Sequence, residues 1–406
     1  MSGTSTCNYE IMNKKRVLVL GAGLVGSEIA RDLHGHFDVT AADINPDATG
    51  RISGEFGIKT VTADLSDSHE LSSLAAGADI IAGCLPGFMG YKMISELAPL
   101  GKDIVDISFF PEDPFTLDAI AAENGITVVT DCGVAPGMGN IILGYHNARM
   151  EVSSYECYVG GLPVVREWPW EYKAVFSPLD VIEEYTRPAR YVENGHLVVR
   201  EALSDPQLIS FEGIGSLEAW NSDGLRTLIK TMQVPDMIEK TLRYPGCIEY
   251  LKVLREAGFF SYDPVDVKGT PVRPIDLTSA LLFPKWKLGP GEEDFTVMRI
   301  IIKGSDPDGN KSAMKDPIKG PGNRQENKQV KYVWDLTDRY DKKTGSTSMA
   351  RTTGYTCTAA VHLLARGMFS RKGICPPEYL GEDERNFRFI IDHLEKRGVK
   401  YEMIRE

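Results

Sequence analysis

Gly21, Gly23 and Gly26 stand at the spacing G-x-G-x-x-G within Arg16-Val-Leu-Val-Leu-Gly-Ala-Gly-Leu-Val-Gly-Ser-Glu-Ile-Ala30. In a phosphate-binding turn each glycine has its own reason. Gly21 permits a tight strand-to-helix turn, Gly23 lets a pyrophosphate approach the backbone, and Gly26 lets the helix pack closely on the strand. The N–H groups at the helix start, around Leu24 and Val25, then face the phosphates together with the positive end of the helix dipole. Asp43 closes the next strand-like run, 22 residues past Gly21. A carboxylate there bonds both adenosine ribose hydroxyls and repels a 2′-phosphate, so the pattern favours NAD over NADP.

These residues need a sheet to hold them. Apolar runs predict strands at 16–20, 38–43, 59–63, 79–83, 103–107 and 127–131, with helical stretches at about 24–34, 68–76, 88–98 and 114–124. Such alternation predicts an α/β fold with a parallel, doubly wound sheet. Its ligand crevice lies at the carboxyl ends of the strands. Asp64 follows the third strand, where it meets the adenine side. Gly83-Cys-Leu-Pro-Gly87 follows the fourth and places Leu85 and Pro86 near the nicotinamide ribose. Asp106-Ile-Ser108 follows the fifth, and Asp131-Cys-Gly-Val-Ala-Pro-Gly137 the sixth.

Beyond residue 138 the pattern changes. Met138–His146 reads as a helix. Strand-like segments follow at 153–160, 189–192, 196–201 and 295–303, while 179–187 and 235–257 read as helices or connections. Residues 304–330 are rich in turn formers and charge and read as a hairpin tip or mobile excursion. A helix with a glycine stop is expected over 353–367 and a last one over 382–397. The expected organisation is a Rossmann dinucleotide-binding domain over 1–135, an inserted α+β substrate and oligomerisation domain over 136–345, and C-terminal helices over 346–406 that return to the first domain.

Composition narrows the function. The 406 residues carry 42% hydrophobic and 25% charged residues, as globular proteins do. A net charge of -12 and a pI of about 5.2 argue against nucleic acid and anionic membranes as partners. No apolar run reaches the ~18 residues of a membrane span, and the first residues lack a secretion signal, so a cytoplasmic enzyme is expected. The seven cysteines include no C-x-x-C pair and no zinc spacing. They read as reduced thiols, and no metal site is expected.

Several motifs together resemble the saccharopine dehydrogenase (glutamate-forming) and lysine 6-dehydrogenase family. They are the glycine fingerprint, Asp131-Cys-Gly-Val-Ala-Pro-Gly-Met-Gly-Asn140, Gly160-Gly-Leu-Pro163, Trp168-Pro-Trp-Glu-Tyr-Lys-Ala-Val-Phe-Ser-Pro178, Asn221-Ser-Asp-Gly-Leu-Arg-Thr227, Lys240-Thr-Leu-Arg-Tyr-Pro-Gly246, Arg351-Thr-Thr-Gly354 and Gly373-Ile-Cys-Pro-Pro-Glu378. The segments 160–178 and 221–246 look nearest to lysine 6-dehydrogenases. The resemblance implies an NAD-dependent enzyme that oxidises the ε-amino carbon of L-lysine to allysine with release of ammonia. Saccharopine or carboxynorspermidine-type chemistry on a secondary amine is the alternative, and a non-catalytic NAD-binding protein a third reading. A homodimer or homotetramer is expected.

An amine substrate needs particular residues. Hydride leaves only from the neutral amine, whereas a lysine ammonium has a pKa near ~10.4, so a base is required. Candidates are Asp106 and Asp131 at strand ends, and the Trp-flanked Glu171 and Lys173; Asp131 and Lys173 are the two catalytic assignments. A substrate carboxylate calls for Arg, whose planar fork binds it bidentately. Arg226, with Thr227 beside it, and Arg243 are the candidates. Cys132, Gly133 and Trp168 are expected to wall the substrate pocket. His146 and His362 lie in apolar helical stretches and read as packed residues.

Overall fold

The computed structural model of the chain describes residues 14–289, 291–306 and 328–406. Six strands alternate with helices over the first third: β1 (Arg16–Leu20), β2 (Asp38–Asp43), β3 (Lys59–Thr62), β4 (Ile80–Gly83), β5 (Asp103–Asp106) and β6 (Thr127–Val129). They pair in parallel in the order β6-β5-β4-β1-β2-β3. Helices cover both faces, which is why β1 and β4 are buried runs rather than alternating ones. The helices at Leu24–His34, Ser68–Ala76 and Gly87–Leu97 lie where the periodicity puts them. One more, Pro46–Phe56, fills the β2–β3 crossover. Gly50 and Gly54 dilute its apolar period, but its start is built conventionally. Asn45 accepts from the Asp47 N–H, and Pro46 supplies a preset φ in the first turn.

The second sheet is mixed. Its strands are β7 (Glu151–Pro163), β8 (Ala189–Glu193), β9 (His196–Arg200), β10 (Gln207–Phe211), β11 (Gly215–Asn221) and β12 (Asp236–Arg243), then, after a small hairpin of β13 (Val265–Val267) and β14 (Thr270–Val272), β15 (Asp294–Asp306) and β16 (Lys328–Arg339). The chain then returns to the first sheet with the helix Ser348–Ala365, which packs on Leu24–His34, and with β17 (Gly373–Ile374), which extends the parallel sheet beside β6. It ends by crossing back: β18 (Tyr401–Arg405) pairs antiparallel with β16. The second sheet thus runs β10-β11-β12-β7-β15-β16-β18, with β8 also paired to β12 and β9 paired to β8.

Two expectations need correction. The stretch 235–257 begins as a strand, β12, and only Cys247–Glu256 is helical. Glu239, Lys240, Thr241 and Arg243 are all buried in β12, so its residues show no apolar alternation. The stretch 304–330 is strand at both ends, where Gly304 pairs with Val330 and Ser305 with Gln329. The expected tip itself, and the loose start expected before residue 14, lie outside the described residues.

Candidate active site

A cavity of about 830 Å³ opens between the two sheets at the carboxyl ends of the parallel strands. On one wall lies the glycine turn. Gly21 has φ +102°, and a Cβ there would stand 2.4 Å from the Cys84 carbonyl oxygen. A Cβ on Gly26 would stand 2.1 Å from the Gly21 oxygen, whereas one on Gly23 meets nothing within 4 Å. Gly21 and Gly26 are therefore required by the protein's own packing, while Gly23 leaves open space at a helix start that has no side-chain cap. That open cradle at a helix N-terminus fits a dinucleotide pyrophosphate.

Asp43 ends β2 beside it. One carboxylate oxygen accepts from the Ala22 N–H at 2.6 Å and the other from the Asn45 N–H at 2.8 Å. Asp64 is held by the Ser66 hydroxyl and N–H, which lower its pKa. Gly21, Gly23, Leu24, Val25, Gly26, Asp43, Asp64, Leu85 and Pro86 all line the cavity.

The opposite wall comes from the second sheet and the helix Pro178–Thr186. Because side chains alternate along a strand, Glu239, Thr241 and Arg243 share one face of β12, and all three line the cavity. Arg243 donates to Glu184 at 2.8 Å, its guanidinium 4.4 Å from the Tyr172 ring centre and 5.4 Å from that of Trp220. Glu184 also lines the cavity; burial pushes its carboxyl up and Arg243 opposes the shift. Arg187 pairs with Glu183 at 3.5 Å, and Asp223 with Arg190 at 2.8 Å. Burial, with Asp223, Glu184 and Asp131 nearby, pushes Glu239 up to about 8. Sequence reading passed over Glu239 and Glu184, since a carboxylate in an unrecognised strand or an ordinary helix carries no motif.

Other expected site residues stand just behind the wall. Asp131 is fully buried, and Arg226 meets both its oxygens at 3.1–3.3 Å. Neither lines the cavity, so the proton-acceptor assignment to Asp131 and the carboxylate assignment to Arg226 are not supported: each is committed to the other. The Cys132 thiol is buried, pushed up by burial, and points toward the Thr356 carbonyl at 3.8 Å; Gly133 alone of that pair reaches the cavity. Thr227 is buried, with Asn140 at 3.5 Å. Lys173 sits elsewhere, 3.4 Å from Glu167 and 3.3 Å from Glu292, beside a separate cavity of about 360 Å³. Trp168 borders that smaller cavity and is 78% exposed. The structure therefore does not bring Lys173 or Trp168 to the crevice.

Burial also pushes Asp106, behind the wall, up to about 8, although Ser108 donates to it at 2.5 Å. His146 accepts from the Trp334 indole at 2.9 Å, and His362 packs among His36, Phe37 and His393. Among the described residues no cluster of metal-ligating side chains occurs, and no helix is long and apolar enough to cross a membrane.

The saccharopine dehydrogenase NADP binding domain model matches residues 17–129, and the saccharopine dehydrogenase C-terminal domain model matches 133–399. The chain belongs to the saccharopine dehydrogenase family. Mitochondrial alpha-aminoadipic semialdehyde synthase of Bos taurus is 22% identical over 96% of this chain and 47% of its own length. Saccharopine dehydrogenase [NADP(+), L-glutamate-forming] of Saccharomyces cerevisiae is 25% identical over 64% of this chain and 61% of its own length. The chain thus spans about half to three fifths of these curated relatives. The apo structure of the Saccharomyces cerevisiae saccharopine dehydrogenase (L-Glu forming) superposes with a TM-score of 0.74 at 19% identity, covering 97% of this chain and all of that one. Homospermidine synthase from Legionella pneumophila, in complex with NAD, gives 0.65 at 11% identity, covering 96% and 91%. The two solved structures share the fold: a parallel Rossmann sheet joined to a second, mixed sheet.

Proposed function

We propose that this chain is an NAD-dependent dehydrogenase that oxidises the ε-amino carbon of L-lysine to allysine and releases ammonia. The observation that carries the reading is the Arg243–Glu184 pair on the cavity wall, 2.8 Å apart. The α-end of an amino acid is a zwitterion. A guanidinium and a carboxylate side by side can take its carboxylate and its ammonium together.

The charge balance of that wall supports lysine over bulkier, more acidic amines. It carries five carboxyl groups, Asp180, Glu183, Glu184, Asp223 and Glu239, against two guanidiniums, Arg187 and Arg243. Both guanidiniums already hold a carboxylate. Lysine brings two ammonium groups and one carboxylate, which suits such a wall. A saccharopine-like secondary amine brings three carboxylates and would need more guanidinium than the wall offers.

Asp43 supports NAD, because its fixed carboxylate would oppose a 2′-phosphate. A bound nicotinamide supplies the hydride acceptor. The chain's own residues bind the amino-acid end, orient the carbon bearing the amine and remove its proton.

A second reading, reversible cleavage of a saccharopine-like secondary amine, is favoured by the family membership and by the activity for which the yeast relative is named. The deciding assay offers the purified protein L-lysine, saccharopine and simple diamines, each with NAD and with NADP, and follows reduced nicotinamide and ammonia. Lysine turnover with one ammonia per reduced nicotinamide supports the proposal. Turnover of saccharopine alone, without ammonia, overturns it.

A further inference from the structure

We infer that the carboxylate of Glu239 takes the proton from the reacting amine, a conclusion that rests on the amine-oxidising reading above. Its place on β12 is the first reason. Glu239 lies four residues from Arg243 on the same strand face, which separates their Cα atoms by about 13 Å at ~3.3 Å per residue. The Arg243 end is enclosed by Tyr172 and Tyr185 of the inserted region. The Glu239 end interacts with Asp131 and Arg226, and Asp131 follows β6 at the carboxyl edge of the parallel sheet. A substrate held by its carboxylate at Arg243 therefore extends along the strand and presents its far amine near Glu239, on the nucleotide side.

Availability is the second reason. Glu183, Glu184, Asp223 and Asp131 each pair with an arginine, and Asp180 accepts from the Gly87 N–H at 3.5 Å. Among the described residues none donates a hydrogen bond to the Glu239 carboxyl. The main chain nevertheless fixes its position: a Cβ on Gly224 would stand 1.8 Å from Glu239 Oε1. The segment 222–224 is thus moulded against this carboxyl, which gives the glycine of Asn221-Ser-Asp-Gly-Leu-Arg its physical reason. A carboxyl pushed up to about 8 is also near the acidity at which a general base works best at neutral to mildly alkaline pH.

The chemistry balances. The ionised Glu239 carboxylate accepts one proton from the substrate ammonium and becomes a carboxylic acid. The neutral amine then forms a C=N bond with its lone pair as the C–H pair leaves as hydride to oxidised nicotinamide. The resulting substrate iminium adds water and breaks to aldehyde and ammonium.

The test compares wild type, Glu239→Gln and Glu239→Asp as full-length protein, with lysine and NAD, over a range of pH. The groups that surround Glu239 are Asp223 on the moulded segment, Glu184 on its helix, Asp131 and Arg226 behind, and Tyr155 and Cys157 on β7. Wild type should show a rate limb near the pKa of about 8. Glu239→Gln should lower kcat about 10²- to 10⁴-fold with nucleotide affinity unchanged. Its residual rate should climb about tenfold per pH unit toward ~10.4, because only amine already neutral reacts. Glu239→Asp should retain part of the rate with a displaced limb, and it carries the test if the glutamine variant fails to bind nucleotide. A Glu239→Gln enzyme with wild-type kcat, or a Glu239→Asp enzyme with an unmoved limb, overturns the inference and leaves the lysine reading standing. Wild type that oxidises saccharopine but not lysine overturns the lysine reading, and the same comparison is then made with saccharopine. Wild type that oxidises no amine overturns both.

Discussion

Arg226 and Asp131 make the sharpest structural prediction. The pair is buried, with side-chain exposure of 3% and 0%, and joins the loop after β6 to the inserted region. Arg226 also lies over Phe109 and Phe110, at 4.7 and 5.7 Å from the ring centres. Both residues sit in left-handed backbone, at φ 51° and 55°, a conformation that persists only where the surroundings impose it. Arg226→Met keeps the apolar stem over the rings but leaves the Asp131 carboxylate buried without its cation. Breaking a buried pair in this way costs about 3–5 kcal/mol. With an unfolding entropy of ~2.1 cal/mol/K per residue over 406 residues, the midpoint should fall by about 4–6 °C. Asp131→Asn should also destabilise, and the double variant should lose less than the sum of the two by at least ~1 kcal/mol, because the second change removes the orphan left by the first. Calorimetry on the four proteins completes the cycle. A midpoint for Arg226→Met within ~1 °C of wild type, or strictly additive losses, would refute the claim that these residues hold each other and would return Arg226 to the list of substrate ligands.

Other expectations follow from the same geometry. Gly23→Ala should leave the melting temperature unchanged, since its Cβ meets nothing within 4 Å, yet weaken nucleotide binding measured by fluorescence titration; Gly26→Ala, 2.1 Å from the Gly21 oxygen, should destabilise the fold itself. Asp43→Ser should weaken NAD by about 10- to 100-fold while leaving NADP unchanged or improved, taking ~1.5–3 kcal/mol for hydrogen bonds to a charged group; equal losses for both nucleotides would refute the ribose assignment. Arg243→Ala should raise the lysine KM by a similar factor without altering NAD affinity, and steady-state kinetics with each substrate varied separates the two. Asp106 carries a pKa raised to about 8 against ~3.9 in an unfolded chain, so its contribution to stability is complete below ~3.9 and is lost as pH rises through 8. Asp106→Asn should therefore gain stability relative to wild type as pH rises from ~4 to ~8, at up to ~1.4 kcal/mol per pH unit, and gain no more above it; urea unfolding at several pH values reads the difference.

The glycine-turn side of the cavity was legible because its physics is local. A tight turn, a helix start and an acid at the end of the next strand are set by near neighbours in sequence, and Gly21, Gly23, Gly26 and Asp43 carry them on their types. The opposite wall of the cavity depends on long-range pairing. Arg243 and Glu184 meet from a strand and a helix 59 residues apart, and nothing local marks Glu184. β12 escaped because it buries Glu239, Lys240, Thr241 and Arg243 instead of alternating apolar with polar. Lys173 drew attention through its tryptophans, but Trp168 faces solvent and Lys173 pairs with Glu167 and Glu292. Asp131 and Arg226 stood out by type and position. Burial made them partners to each other, and they stand behind the pocket wall rather than on it.

The most direct measurement uses L-lysine with both ε-carbon hydrogens replaced by deuterium, with NAD and the full-length protein. Reduced cofactor is isolated and weighed by mass spectrometry alongside an ammonia assay. The proposal predicts one deuterium in each reduced nicotinamide and one ammonia released for each. Absence of reduction, or reduced nicotinamide free of deuterium, would contradict it.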